Sequence, residues 1–206
     1  MYTGITQGLF PVISVKKTNN CIFYRVKLNK DLCQNLIIGA SVAIDGVCQT
    51  VVALDDYTVE FHAAGKTLEI TTLKNLHAGQ KVSVERSAKF GDEIGGHQMA
   101  GHVFTTAKII NKEHKENNLL MQFKLTKDVM EFVFDKGFIG VDGSSLTVHD
   151  VDNDAATFIV NLIPHTMTVT NFINKNIGDE VNIELDANTL IIVNTVKNYL
   201  KANFKL

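Results

Sequence analysis

Two stretches of this chain each place a side chain that could react just past an Asp-Gly pair. Cys48 follows Asp45-Gly46 and Ser145 follows Asp142-Gly143 by the same step. Asp-Gly between two apolar runs is a signal for a tight β-hairpin whose turn needs positive φ. Both residues are therefore expected at the same place on a returning strand, pointing the same way. A thiol can act as a nucleophile, and a hydroxyl can hydrogen-bond or activate water. A lone cysteine is more often a small buried hydrophobe, but a serine at the matched position erodes that preference. Further hydroxyls match in the same manner, Thr50 with Thr147 and Thr67 with Thr166. Any one of them is ordinary in a strand. Four in matched pairs suit a ligand rich in donors and acceptors.

Other paired segments share a small residue and differ in the reactive one. Gly4-Ile5-Thr6 corresponds to Gly101-His102-Val103, and Cys48-Gln49-Thr50 to Ser145-Leu146-Thr147. The strand reading His62, Ala63, Ala64, Gly65, Lys66, Thr67 corresponds to Asn161, Leu162, Ile163, Pro164, His165, Thr166. His97 and His102 lie in GGHQMAGH. Five residues apart, they diverge on a strand or a helix, so a metal site is not indicated. The glycines around them do not sit between a strand and a helix as a phosphate loop requires. Two solvated histidines on a surface loop is the plain reading of that segment.

These correspondences come from an internal repeat. At an offset of 97, Gly4 meets Gly101, Lys27-Leu28 meets Lys124-Leu125, Thr50-Val51 meets Thr147-Val148 and Phe61 meets Phe158. Beyond that phenylalanine the offset becomes 99, and Thr71 meets Thr170, Gly79 meets Gly178 and Glu85 meets Glu184. Segments 41–44, 48–54, 57–62 and 81–85 are short, rich in Val, Ile and Thr, and separated by turn residues, as strands are. One short helix is predicted in each copy, near 30–36 and 127–134. The expected fold class is all-β: two tandem six-stranded Greek-key β-barrels, closed because closure removes exposed edges. The division is 1–97 for the first barrel, 98–186 for the second and 187–206 for a C-terminal helix. In that tail, Leu190, Val193, Val196 and Leu200 form a helical stripe, which either packs on its own barrel or joins subunits. In barrels this small a ligand is expected at a mouth, against loops and strand ends.

The composition narrows the class. Of 206 residues 45% are apolar, enough for packed cores, and the net charge is −2 without blocks of either sign,. A nucleic-acid binder normally carries a clustered basic face, so none is expected. Neither a membrane span nor a signal peptide is evident. Cys21, Cys33 and Cys48 form no C-x-x-C pair, so no zinc site or disulfide framework is indicated and a reducing, cytoplasmic setting is expected.

With the repeat in place, MYTGITQG, GASVAIDGVCQTV, VERSAKFGDEIGGHQMAGHV, KGFIGVDGSSLTV and NLIPHTMTVTN together resemble the riboflavin synthase family, in order, from residue 1 to about 190. The resemblance implies a dismutation without cofactor or metal. Two molecules of 6,7-dimethyl-8-ribityllumazine react within one active site, and one donates a four-carbon unit to the other. It implies a homotrimer in which the N-terminal barrel of one subunit meets the C-terminal barrel of another. It also implies two pockets. The first uses Cys48, Gln49, Thr50 and the 62–67 stretch; the second uses Ser145, Leu146, Thr147 and the 161–166 stretch. Gly4, Ile5 and Thr6 would serve the second barrel and Gly101, His102 and Val103 the first, with Lys136 reaching across the subunit interface. His102 would assist proton movement at the acidic C7 methyl, Cys48 and Ser145 would assist addition or hold the adduct, and His97 would support the loop that carries His102. The chain departs from the family's pattern at Tyr2 (usually Phe), Gln49 (usually Leu), Lys66 (usually Glu) and Ser144 (usually Val or Ile). The alternative is a non-catalytic accessory or storage protein that holds lumazine or flavin, but such proteins typically lose parts of the Cys/His set that is retained here.

Overall fold

In a computed structural model, which describes residues 1–204, each half of the chain folds into a closed six-stranded antiparallel barrel. The first contains β1 (Leu9–Lys17), β2 (Cys21–Lys27), β3 (Ser41–Ile44), β4 (Val47–Asp55), β5 (Thr58–Ala64) and β6 (Lys81–Arg86), and closes in the order β1-β2-β5-β4-β3-β6. The second contains β7 (Thr105–Lys115), β8 (Asn118–Lys124), β9 (Phe138–Val141), β10 (Ser144–Asp152), β11 (Thr157–Leu162) and β12 (Glu180–Leu185), with the same circular order. Short helices α1 (Lys30–Cys33) and α3 (Lys127–Met130) lie where the sequence places one helix per copy. A second helical turn follows in each copy: α2 (Lys66–Ile70) and α4 (Pro164–Val169), each running on into a 3-10 turn. The 62–67 and 161–166 stretches therefore start as strand and end as helix. In the first copy the break is Gly65 at φ +52 and in the second Pro164 starts the helix, where its missing N–H has no intrahelical role.

Alternation explains the barrels. Along β4 the buried residues Val47, Gln49 and Val51 alternate with Cys48 and Thr50 on the outer wall. Each interior is filled by an aromatic pair, Tyr24 with Phe61 (centroids 5.5 Å apart) and Phe123 with Phe158 (5.3 Å). The copies differ at one interior pair. The Tyr24 hydroxyl donates to Gln49 Oε1 at 3.1 Å and Gln49 Nε2 donates to the Cys48 carbonyl. The matched positions in the second barrel are Met121 and Leu146, both buried and apolar. Gln49 faces the barrel interior, so what it can offer a ligand outside is its backbone alone.

The two hairpin turns meet tip to tip. Asp45 and Asp142 have φ near +44° and +42°, and a Cβ added at Gly46 would lie 2.5 Å from the Gly143 nitrogen. Only glycine tolerates both the conformation and the approach. Asn182 of the second barrel reaches across, donating to the Asp45 carbonyl (2.8 Å) and to Thr72 Oγ1 (2.9 Å). Beneath this contact lie two fully buried carboxylates and one ammonium. Asp45 and Asp142 accept the backbone N–H of Ser83 and Asn182, and Lys175 sits 3.1 Å from Asp142. One lysine cannot balance two anions at low dielectric, so burial and then the Asp142 charge push Asp45 up to about 7,.

Helix α5 (Ala187–Asn203) is capped by Asp186, whose carboxylate accepts the Thr189 N–H at 2.8 Å,. Leu190 and Val193 pack against the second barrel's core, while Ile191, Ile192, Val196 and Tyr199 are exposed in the single chain. The helical stripe is real, but only its first half is covered by its own barrel.

Two predictions follow from these contacts. Gln49→Leu strands the buried Tyr24 hydroxyl and should cost about 1–3 kcal/mol in a denaturant melt, most of it recovered in the Gln49→Leu/Tyr24→Phe double variant. Asp45 keeps a proton in the folded state that an unfolded aspartate releases near 3.8. Its contribution is therefore present at low pH and lost as pH rises from about 4 to about 7. The urea midpoint of the native chain should fall across that window relative to Asp45→Asn, whose side chain stays neutral.

Candidate ligand site

Many of the candidate side chains lie on the outer walls of the barrels rather than at their mouths, because they are the outward half of an alternating pattern. Cys48 and Thr50 face outward on β4, paired across the ladder with Ala43 and Ser41 of β3. The Val51–Phe61 pairing sets His62 beside Thr50 on the same wall, with Ala64 next outward along β5. In the second barrel Ser145 and Thr147 face outward, paired with Gly140 and Phe138, and the Val148–Val160 pairing sets Asn161 beside Thr147. Thr67 and Thr166 sit on α2 and α4, each with its carbonyl accepting the hydroxyl of the threonine four residues on, at 2.6 Å. Ala63, Leu146 and Leu162 point into the barrel cores. Ile163, Pro164 and His165 are exposed. Lys66 is exposed and paired with Glu69 at 3.1 Å, so its charge is partly offset.

The walls are completed by two crossing segments. The Gly4 carbonyl accepts the N–H of Ser145 at 2.8 Å, and the Gly101 carbonyl accepts the N–H of Cys48 at 2.8 Å. Each segment thus lines the barrel of the other copy. Thr6 Oγ1 and Ser144 Oγ share a buried hydrogen bond at 2.9 Å, and Val103 is part of the first barrel's core. A Cβ on Gly4 or Gly101 would lie 2.5 Å from Ser145 Cβ or 2.7 Å from Cys48 Cβ, and both glycines have positive φ. Glycine is the residue that allows so close an approach.

Two buried glutamates hold these segments. Glu85 on β6 accepts from the Thr3 N–H (2.6 Å), Thr3 Oγ1 (2.8 Å) and the Gly4 N–H (3.1 Å). Glu184 on β12 accepts from the Ala100 N–H (2.6 Å) and the Gly101 N–H (3.0 Å). Burial pushes both carboxyls up, and the backbone donors oppose it. The repeat alignment contained this pair, since Glu85 and Glu184 are matched identities, although nothing local marked them as clamps.

A cleft of about 410 Å³ opens beside Cys48, His102 and the start of α5, including Asp186 and Asn188. A smaller one of about 70 Å³ lies among Gly4, Ile5, Thr6, Ser145, His165 and Thr166. His102 is exposed at the first cleft. His97 departs from the solvated-loop expectation: it is buried, its ring stacks on Phe138 (5.2 Å), and both its N–H and its Nδ1 reach Ser145 Oγ, at 3.1 and 2.6 Å. Burial lowers its pKa, so the ring is neutral at ordinary pH. Lys136 is exposed at φ +61, at the position where the first copy has Gly39 at φ +89. A lysine in that region bears a cost that glycine does not. Cys21, Cys33 and Cys48 are all free thiols. Among the described residues no three His, Cys, Asp or Glu side chains cluster as metal ligands, and no helix is long and apolar enough to cross a membrane.

Comparison with known proteins bears on the family and the fold. The lumazine binding domain model matches residues 3–87 and again 100–186. The chain is 42% identical to riboflavin synthase of Escherichia coli (strain K12) over 203 residues, which is 98% of this chain and 94% of that protein. It is 40% identical to riboflavin synthase of Chlamydia pneumoniae over 205 residues, all of both chains. The counterpart from Bacillus subtilis (strain 168) is 35% identical over 186 residues, covering 90% and 85%. Among solved structures, LumP complexed with riboflavin superposes with a TM-score of 0.84 at 24% identity, covering 90% of this chain and 100% of that one, which speaks to the fold. Two lumazine-binding domains in tandem and matches of this identity along nearly the whole chain place the protein in the riboflavin synthase family.

Proposed function

We propose that the chain converts two molecules of 6,7-dimethyl-8-ribityllumazine into riboflavin and 5-amino-6-ribitylamino-2,4-pyrimidinedione, a transferase reaction that moves a four-carbon unit. The atoms of the two substrates account for both products, so no cofactor or co-reactant enters. The observation that carries this reading is the pair of equivalent outer walls that present unlike side chains at matched positions, Cys48 against Ser145 above all. Two like substrates with unlike roles call for like pockets with unlike reactive groups. Holding both molecules in place supplies much of the rate through proximity.

The side chains suggest a division of labour. His102, exposed at the larger cleft, moves a proton at the C7 methyl, whose anion is delocalised into the ring. Cys48 assists addition at the ring or holds the adduct. Ser145 does the corresponding work in the second pocket, where its hydroxyl is oriented by neutral His97. His97 thus acts on Ser145 directly, besides belonging to the segment that carries His102. Thr50, Thr147, Asn161 and Thr166 supply hydrogen bonds to the heterocycle and ribityl chain.

The functional units are the barrels 1–97 and 98–186, and the tail 187–206, whose last two residues lie outside the described residues, joins subunits through its helix. Ile191, Ile192, Val196 and Tyr199 on α5 form the apolar face that would be buried in a homotrimer, where Lys136 of one subunit reaches the pocket of the next. Three free thiols fit a reducing, cytoplasmic setting. Supplied with 6,7-dimethyl-8-ribityllumazine alone, the purified protein should form riboflavin at half the molar amount consumed. His102→Gln should lower turnover by about 10²–10⁴-fold. Tight ligand binding with no product would instead identify an accessory binder, and undiminished turnover in the variant would remove His102 from the mechanism.

A further inference from the structure

The two pockets differ in what stands behind the reactive group. In the second, Ser145 is met by His97. In the first, the phenol of Tyr2 donates to Cys48 Sγ at 3.2 Å. Tyr2 is 2% exposed, bridges Met99 through its backbone, and lies against Gly101, which itself touches Cys48. The matched residue in the second copy is Met99, which has no hydroxyl. The tyrosine ring therefore packs as any large apolar side chain would, and its oxygen adds one polar contact, to the thiol.

We propose that Tyr2 is a positioning residue for Cys48, its hydroxyl donating to Sγ so that the sulfur is held toward the pocket. A donor to a sulfur atom stabilises the charged form more than the neutral one. Glu85 on β6 and Glu184 on β12 place negative charge near the Tyr2 phenol, and Asp186 at the start of α5 lines the cleft with Cys48, as do His102 and the neutral Gln98 of the crossing segment. From β3, the facing residue is Ala43. Burial and the contact with Cys48 hold the Tyr2 phenol above its ordinary range, so it remains a donor throughout working pH.

The inference rests on the reading that Cys48 works in the first pocket, yet it can be tested without substrate. In a Cys21→Ser/Cys33→Ser background, Cys48 is the only thiol. Its alkylation by iodoacetamide is followed against pH with Tyr2 intact and with Tyr2→Phe, which keeps the ring and loses the oxygen. The midpoint should move up by about one pH unit in Tyr2→Phe, with alkylation about tenfold slower on the acid side. Thiolate ultraviolet absorbance, measured as the difference from Cys48→Ser, should move with it. Superimposable profiles would overturn the proposal. In the native background Tyr2→Phe should lower kcat and move the acid limb of its pH profile in the same direction, with KM little changed. A lower rate with an unmoved limb would make Tyr2 a packing residue only. Absence of turnover in the native chain would count against the proposed reaction and leave the alkylation result standing.

Discussion

The arrangement depends on two buried glutamates clamping chain segments that cross between the barrels. Glu85 belongs to the first barrel, but the backbone it grips at Thr3 and Gly4 goes on to pair with Ser145 of the second. Glu184 belongs to the second barrel, and the Ala100–Gly101 backbone it grips pairs with Cys48 of the first. Hydrogen bonds to a carboxylate contribute about 1.5–3 kcal/mol each, and unpaired buried carboxylates would be strongly unfavourable. Each outer wall is therefore completed by a segment of the other repeat. The abutting glycine turns and the Asn182 bridge keep the two barrels at the distance that the crossing requires.

The repeat gives two equivalent walls that carry unlike side chains. The outward positions carry Cys48 against Ser145 and His62 against Asn161, and the residues behind them are Tyr2 against Met99. The interiors diverged in step: Tyr24 and Gln49 form a polar pair where Met121 and Leu146 form an apolar one. Such paired changes keep a barrel filled and its polar atoms satisfied. They also show that Gln49, although it adjoins Cys48 in sequence, reaches a ligand only through the backbone of β4.

Much of this was legible in the sequence, for identifiable reasons. Identities at a constant offset exposed the repeat, Asp-Gly pairs marked the hairpins, and the apolar spacing from Leu190 marked α5. Alternation along 47–51 also implies that Cys48 and Thr50 share one face, the outer wall of the first barrel. Long-range contacts were not legible. The burial of His97 depends on Ser145 and Phe138, and the clamps depend on residues about eighty positions away. Helices α2 and α4 leave little trace in the sequence because they are one to two turns long, with no side-chain cap at their starts.

The crossed clamp is tested most directly by residue-resolved amide hydrogen exchange on Glu85→Gln and Glu184→Gln. A glutamine amide cannot accept both backbone N–H groups, so each variant loosens one crossing segment. Glu184→Gln, although it alters the second barrel, should speed exchange at the Cys48 amide of the first and leave the Ser145 amide protected, and Glu85→Gln should do the reverse. Faster exchange confined in each case to the barrel that carries the substitution would contradict the account.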